Sequence, residues 1–282
     1  VDTLLTRKGA RRLGDVPGDV LRLLEQGSVE TVNLMEWLAA DMSALAISVA
    51  NKVSSTRLKD ELLLAGGEMA GLGVTKRLAM AGRAIARSTS GADDADFVAL
   101  ATHRSDLVRQ WACYAVNDPS VPRSVSERLF LTKQFAADSN MSVREAAWMA
   151  FRPYLQIHLP ECLRLLSVLV EDANPNIRRF AVEVTRPRSV WGIHLVELKR
   201  APQIALPILE SVKEDGSRYV QLAAGNWLND ASKSQPAWVS ELCARWSVAD
   251  SKATRAIVRR GMRTVLSTGR KREGAEDTFL SL

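Results

Sequence analysis

The chain has 282 residues, of which 46% are hydrophobic and 25% charged, a balance that excludes a disordered or fibrous protein. The length exceeds one ordinary compact core and leaves either two domains or one elongated array of units that pack on their neighbours. A net charge of +6 and a pI near 9.4 permit a polyanionic partner without requiring one, and no run nears the roughly 20 apolar residues of a membrane-spanning helix.

The opening VDTLLTRKGARRLG has basic residues without the apolar stretch of a secretory signal, so a cytoplasmic location is the expectation. Helical periodicity then marks GDVLRLLEQG, a long run TVNLMEWLAADMSALAISVANKV read as one helix, and helices around ELLLAGGEMA and TKRLAMAGRAIARS. STSGADDAD reads as a loop. These segments form an N-terminal helical cap ahead of a clearer pattern.

From about residue 103 to 265 one phrase recurs: an acidic turn, then a helix opening on a β-branched residue and usually Arg. It stands as DSNMSVREAAWMAF, DANPNIRRFAVEV and DGSRYVQLAAGNWL, with Asp138, Asp172 and Asp215 each five residues before Val143, Ile177 and Val220. HRSDLVRQWACYAV is a weaker copy with His103 in the Asp place, and DSKATRAIVRRGM, at Asp250, is shifted by about one residue. The intervals from Asp138 to Asp250 are 34, 43 and 35 residues, the lengths of helix-pair repeats. Asp and Asn suit the turn and the helix cap, and the apolar residues behind them form a buried stripe. Between phrases lie second amphipathic helices such as LPECLRLLSVLVED. Strand signals are weak throughout, with no alternating β-branched run bounded by hairpin turns. The expected fold is all-α, an α-solenoid of HEAT-like repeats with stacked antiparallel helix pairs and a concave basic groove. It forms a single domain over 1–268, with a disordered basic and polar tail at 269–282.

Cys113, Cys162 and Cys243 are odd in number and far apart, and His103, His158 and His194 have no ligand spacing. Buried packing roles, no metal and no cofactor are expected. Lys252, Arg255, Arg259, Arg260, Arg263, Arg270, Lys271 and Arg272 form a basic run without an acidic residue, either a nucleic-acid patch or a solvated helix end.

In a solenoid the starts of equivalent helices line up, so Arg109, Arg144, Arg178 and Arg179 would share an edge with Arg218. They either pair with the turn Asp of a neighbouring repeat or form a phosphate track. Glu183 lies four and five residues after Arg179 and Arg178, near their side of the helix. Pro187 then ends the helix at Arg186 and places Arg188 and Trp191 on the connection. Trp191 is either a core plug or an aromatic beside a carboxylate. In AAGNWLNDASK, Asn226 and Asp230 are four apart on one face; they either terminate the helix or present a carboxylate that stabilises a sugar cation.

On QGSVETVNLMEWLAADMSALA, MAFRPYL, NPNIRRFAVEVTRPRSVWG and VQLAAGNWLNDASK, the sequence resembles the AlkC-type branch of the HEAT-like-repeat alkylpurine DNA glycosylases over most of its length. The resemblance implies a monofunctional enzyme of bacterial-type cytoplasm, nucleoid-associated and monomeric. It would act on double-stranded DNA containing alkylated bases and excise 3-methyladenine-like purines without drawing the nucleotide into a deep pocket. It assigns Asp230 as leading catalytic group, with Glu183 as a second carboxylate and Trp191 against the damaged nucleotide. Arg109, Arg144, Arg152, Arg178, Arg179, Arg186, Arg188 and Asn226 are the expected DNA contacts. The chain departs from the family at Trp148, where a Glu is usual. Either Glu145 compensates, or Trp148 supplies an aromatic wall, or Trp148 packs in the core. A DNA-binding protein without catalysis and a protein-interaction scaffold are the alternatives.

Overall fold

The computed structural model describes residues 7–248 and 251–267. Asp250, Arg270, Lys271, Arg272 and the expected tail at 269–282 lie outside the described residues. Among the described residues every regular element is helical. The chain divides into two compact units, one ending at Phe151 and the other beginning at Arg152.

The first unit contains α1 (Gly18–Glu25), α2 (Leu34–Ala39), α3 (Met42–Ala50), α4 (Thr56–Glu68), α5 (Val74–Ser88), α6 (Ala95–Ala101), α7 (Asp106–Val116), α8 (Val125–Ala136) and the start of α9 (Met141–Ile157). The second contains the rest of α9, α10 (Leu159–Leu169), α11 (Pro175–Val184), α12 (Val196–Arg200), α13 (Leu206–Val212), α14 (Arg218–Ser232), α15 (Pro236–Trp246) and α16 (Lys252–Gly261). Each unit buries its own apolar stripe. Leu24, Leu45, Leu62, Leu78, Ile85 and Trp111 are inaccessible in the first, as are Leu166, Leu209, Val220, Trp227 and Ile257 in the second. Each such side chain contributes about 1.5–3 kcal/mol.

One helix expected from sequence is two. The run TVNLMEWLAADMSALAISVANKV breaks at Ala40, whose ψ of 130° is extended. Asp41 caps the next helix by accepting from the Ser43 and Ala44 amides. A side chain that satisfies two orphan amides favours a new start over continuation, although the apolar pattern runs on.

The recurring phrase folds the same way each time. Asp138, Asp172 and Asp215 each accept from the amide two residues on, at 2.7, 2.9 and 2.7 Å. In the weaker copy His103 does the same through Nδ1, accepting from the Ser105 amide at 3.0 Å. Burial, with the charges of Lys52, Arg109 and Arg104, lowers the His103 pKa and keeps the ring in the neutral form that this acceptor role needs. The Arg six residues after the turn donates back through Nη1 to the two turn carbonyls: Arg109 to His103 and Arg104, Arg144 to Asp138 and Ser139, and Arg178 to Asp172 and Ala173. Gln221 replaces it in the Asp215 copy and donates to the Asp215 carbonyl at 2.8 Å.

Arg109 and Arg178 then reach forward one repeat. Arg109 grips Asp138 through Nε and Nη2 at 2.8 and 3.0 Å, and Arg178 grips Asp215 at 2.7 and 3.0 Å. Arg109 also bonds Glu30. Two parallel bonds fix angle as well as distance, so each pair sets the stacking of one repeat on the next.

Candidate functional site

The second unit gathers three of the expected residues. Glu183 lies in the last turn of α11, which ends at Val184 with Thr185 as its C-cap. The indole of Trp227, buried in α14, donates to the Thr185 carbonyl at 3.0 Å and lies 3.2 Å from the Thr185 hydroxyl. That bond pins the end of α11 to α14 one residue before Arg186, while Asp230 projects from α14 three residues after Trp227. Arg186 consequently spans both carboxylates. Its Nε and Nη2 donate to Asp230 Oδ2 at 2.9 and 2.7 Å, and its Nη1 donates to Glu183 Oε1.

Glu183 and Asp230 are 5% and 4% exposed, so the bridge is held out of bulk water. Arg179 approaches the other Glu183 oxygen at 3.4 Å and stacks over the Tyr219 ring at 4.8 Å. Lys233 donates to Asp230 Oδ1 at 3.1 Å. Desolvation is the largest influence on Arg186 and opposes its charge, but Glu183 and Asp230 outweigh it and raise the pKa. Two carboxylates and three cations thus form one network.

The connection from Thr185 to Leu195 stands beside this bridge and is anchored by Arg152. That side chain is 1% exposed and donates to the carbonyls of Ile193 at 2.7 Å, Val184 at 2.8 Å and Arg186. Desolvation, reinforced by the Arg186 charge, pushes its pKa down to about 10, which still leaves it cationic at neutral pH. Ser189 Oγ accepts from the Trp191 and Gly192 amides, and the Leu195 amide donates to Pro187. The loop so fixed presents an apolar tip to solvent, with Val190 90%, Trp191 37% and Ile193 38% exposed. Trp191 is therefore not a core plug.

The structure places the other expected residues less uniformly. Arg109 and Arg178 are inter-repeat struts and Arg144 holds its own turn, so phosphate contact by them would require exchanging those partners. Arg152 faces inward onto carbonyls. Arg188 donates to Ser234 Oγ at 2.8 Å, and its buried Nε has no hydrogen-bond partner. Asn226, one turn before Asp230, accepts from Arg260 at 2.7 Å and Arg263 at 3.3 Å. In the first unit Trp148 is buried at 4% exposure and donates its indole N–H to Glu145 at 2.7 Å, the packing alternative. Lys233, Thr185 and Trp227 were not expected at the site. Only Lys233 had a local signal, its place one turn after Asp230. The three cysteines are buried, which pushes the Cys243 and Cys162 thiols up to about 11 and 12.

No family model matches the sequence. A stretch of 122 residues is 35% identical to the uncharacterized protein YhaZ of Bacillus subtilis, covering 43% of this chain and 34% of that protein. The structure is similar to that of Pseudomonas fluorescens alkylpurine DNA glycosylase AlkC bound to DNA containing an abasic site analog. The TM-score is 0.67 at 21% identity, over 92% of this chain and 66% of that one. The chain has the AlkC-like helical-repeat fold. It thus spans about a third of the curated relative and just under two thirds of AlkC. AlkD2 of Streptococcus mutans aligns at a TM-score of 0.49 and 20% identity, over 79% of this chain and 98% of that one. Within the AlkC-like fold of this chain, no described helix is long and apolar enough to cross a membrane.

Proposed function

We propose that the protein is a DNA glycosylase that removes cationic alkylated purines of the 3-methyladenine type from double-stranded DNA. The observation that carries this reading is the convergence of buried Glu183 and Asp230 on Arg186, with Trp191 solvent-facing on the loop that follows Arg186.

An N3-alkylated purine already carries positive charge, so it departs with the electrons of the broken C1′–N bond as a neutral base and needs no general acid. The barrier lies in the cationic sugar left behind. A carboxylate held by hydrogen bonds is a preorganised counter-charge for that cation, and the reading gives this role to Asp230. Water then adds to C1′ and gives up a proton. Trp191 offers a π face to the cationic base, worth about 0.5–2 kcal/mol depending on desolvation. Because Trp191 stands at a solvent-facing loop tip, it can meet the lesion without a deep pocket for an extruded base.

Lys233 is the amine nearest to Asp230. An ammonium held by a carboxylate is not a nucleophile, which favours hydrolysis over a Schiff-base lyase step. The deciding experiment measures release of methylated purine from alkylated duplex DNA by wild type and Asp230→Asn, with borohydride trapping in parallel. Expected are release by wild type, a loss of about a hundredfold or more in the variant with duplex affinity retained, and no trapped adduct. Absence of base release by wild type overturns the reading. The second reading, DNA binding without catalysis, is favoured by Trp148 and its bond to Glu145, which replace a family carboxylate with a buried indole.

A further inference from the structure

Where α14 and α16 begin, the second unit has a groove of about 860 Å³ lined by Arg218, Gln221, Lys252, Arg255 and Arg259, with no carboxylate among its described lining residues. Arg218, Lys252 and Arg259 are exposed and make no ion pair with a described carboxylate. Arg109 and Arg178, by contrast, are paired with the turn aspartates. Arg218 and Lys252 are also the first residues of their helices, and neither helix has an acidic residue in its first turn. Cations at a helix N-terminus oppose the helix dipole, so the chain concentrates positive charge where its own backbone disfavours it.

A second cluster continues the groove toward the site. Arg260 packs its stem over Gly225, where an added Cβ would come within 2.7 Å of Arg260 Cβ. It donates to Asn226, and Arg263 donates both to Asn226 and to the Arg260 carbonyl. Desolvation, with the charges of Arg263, Arg218 and Arg186, lowers the Arg260 pKa. The charges of Arg218 and Arg263, together with that of Arg186, which is itself paired with Glu183 and Asp230, therefore crowd Arg260, and Asn226 and Asp230 lie one turn apart on α14. Such crowding costs stability in the absence of an anion and is relieved by one. Lys252 and Arg259 are seven residues apart, about 10 Å along α16. That length exceeds one phosphate and suits a polyanion.

We infer that this groove, and not the row of turn arginines, is where the protein holds the phosphates of duplex DNA, with Arg218, Lys252 and Arg259 as the contacts and Arg260 and Arg263 leading the backbone toward Asp230. The choice of duplex DNA rests on the glycosylase reading. The charge and shape of the groove do not.

The test measures affinity for an undamaged fluorescent DNA duplex across a salt series, comparing wild type, the triple variant Arg218→Ala, Lys252→Ala, Arg259→Ala, and a charge-matched control. The control, Arg57→Ala, Lys59→Ala, Lys76→Ala, removes exposed cations of α4 and α5. Expected are a loss of about tenfold or more in the groove variant, a log–log salt slope shallower by about 0.9 per lost contact, about 2.7 in all, and an unchanged control. Equal weakening in both triples, or none in the groove variant, overturns the inference. Stronger displacement of the duplex by single-stranded RNA overturns the choice of DNA. Base release by wild type is measured separately. If release fails while the groove variant loses salt-dependent affinity, the interface stands and the glycosylase reading falls. If release succeeds while groove and wild type bind alike, the interface falls alone.

Discussion

Arg186 donates two hydrogen bonds to a single oxygen of Asp230, at 2.9 and 2.7 Å, across 44 residues of sequence. The remaining arm goes to Glu183, so one guanidinium satisfies two buried carboxylates. The balance of the network depends on that one side chain, and its removal and the loss of a single carboxylate are unequal events.

Arg186→Met leaves Glu183 and Asp230 buried without their shared partner. The expected cost is about 3 kcal/mol, the low end for breaking a buried pair, because Arg179 and Lys233 still reach the two carboxylates at 3.4 and 3.1 Å. Asp230→Asn leaves Arg186 on Glu183 and is expected to cost less, about 1–3 kcal/mol. Urea unfolding of the two variants checks the order, and equal costs would mean that the bridge does not hold in solution.

Arg152 binds the loop to the end of α11 through three carbonyls, a geometry that an ammonium on a flexible stem cannot reproduce. Arg152→Lys is therefore expected to free the Val190–Trp191 tip. Limited chymotrypsin digestion should cut after Trp191 several-fold faster than in wild type, and base release should fall while duplex affinity holds. Unchanged cleavage at Trp191 would remove Arg152 from this role.

Asp106 in the first unit is inaccessible and accepts from the Thr31 amide, the Thr31 hydroxyl and the Ser142 hydroxyl. Burial is the largest influence and raises its pKa, against the three donors. The folded protein then holds the proton to higher pH than the unfolded chain. This contribution to stability is complete below the ordinary aspartate pKa of about 3.9 and is lost as pH rises through the raised folded value. Asp106→Asn has no such loss. The stability of wild type relative to Asp106→Asn should thus fall with rising pH, as read by urea midpoints over a pH series, and a difference constant with pH would refute the shift.

Gly225 lets α16 approach α14, since an added Cβ would stand 2.7 Å from Arg260 Cβ and 2.9 Å from its Cδ. Replacing Gly by Ala within a helix ordinarily stabilises by about 1 kcal/mol. Here overpacking of about 1–3 kcal/mol opposes that gain, so Gly225→Ala is expected to be neutral to destabilising and to displace Arg260 from Asn226. A raised melting temperature would show that α16 yields without cost.

The repeat architecture was legible in the sequence because its signals are local. Asp138, Asp172 and Asp215 bond two residues ahead, and the Arg or Gln after them bonds six residues back, so the phrase carries its own geometry. The same locality explains why His103 could be recognised in the Asp place, and why Glu183 could be assigned to the side of Arg179. It also explains the one misread helix, where the apolar period continued through a cap at Asp41 that the backbone obeyed instead.

What only the tertiary structure decided is which partner each charged side chain takes. Arg178 could have faced phosphate or Asp215, Arg186 could have faced DNA or Asp230, and Arg152 could have pointed out or in. The sequence is silent on these choices because the partners lie 32 to 44 residues away. They are brought within 3 Å only when apolar burial has stacked one helix pair on the next. Hydrophobic patterning repeats along the chain and can be read from it. Ion pairing is short-ranged in space, and the Glu183, Arg186 and Asp230 network exists only once Trp227 has fastened α14 to the end of α11.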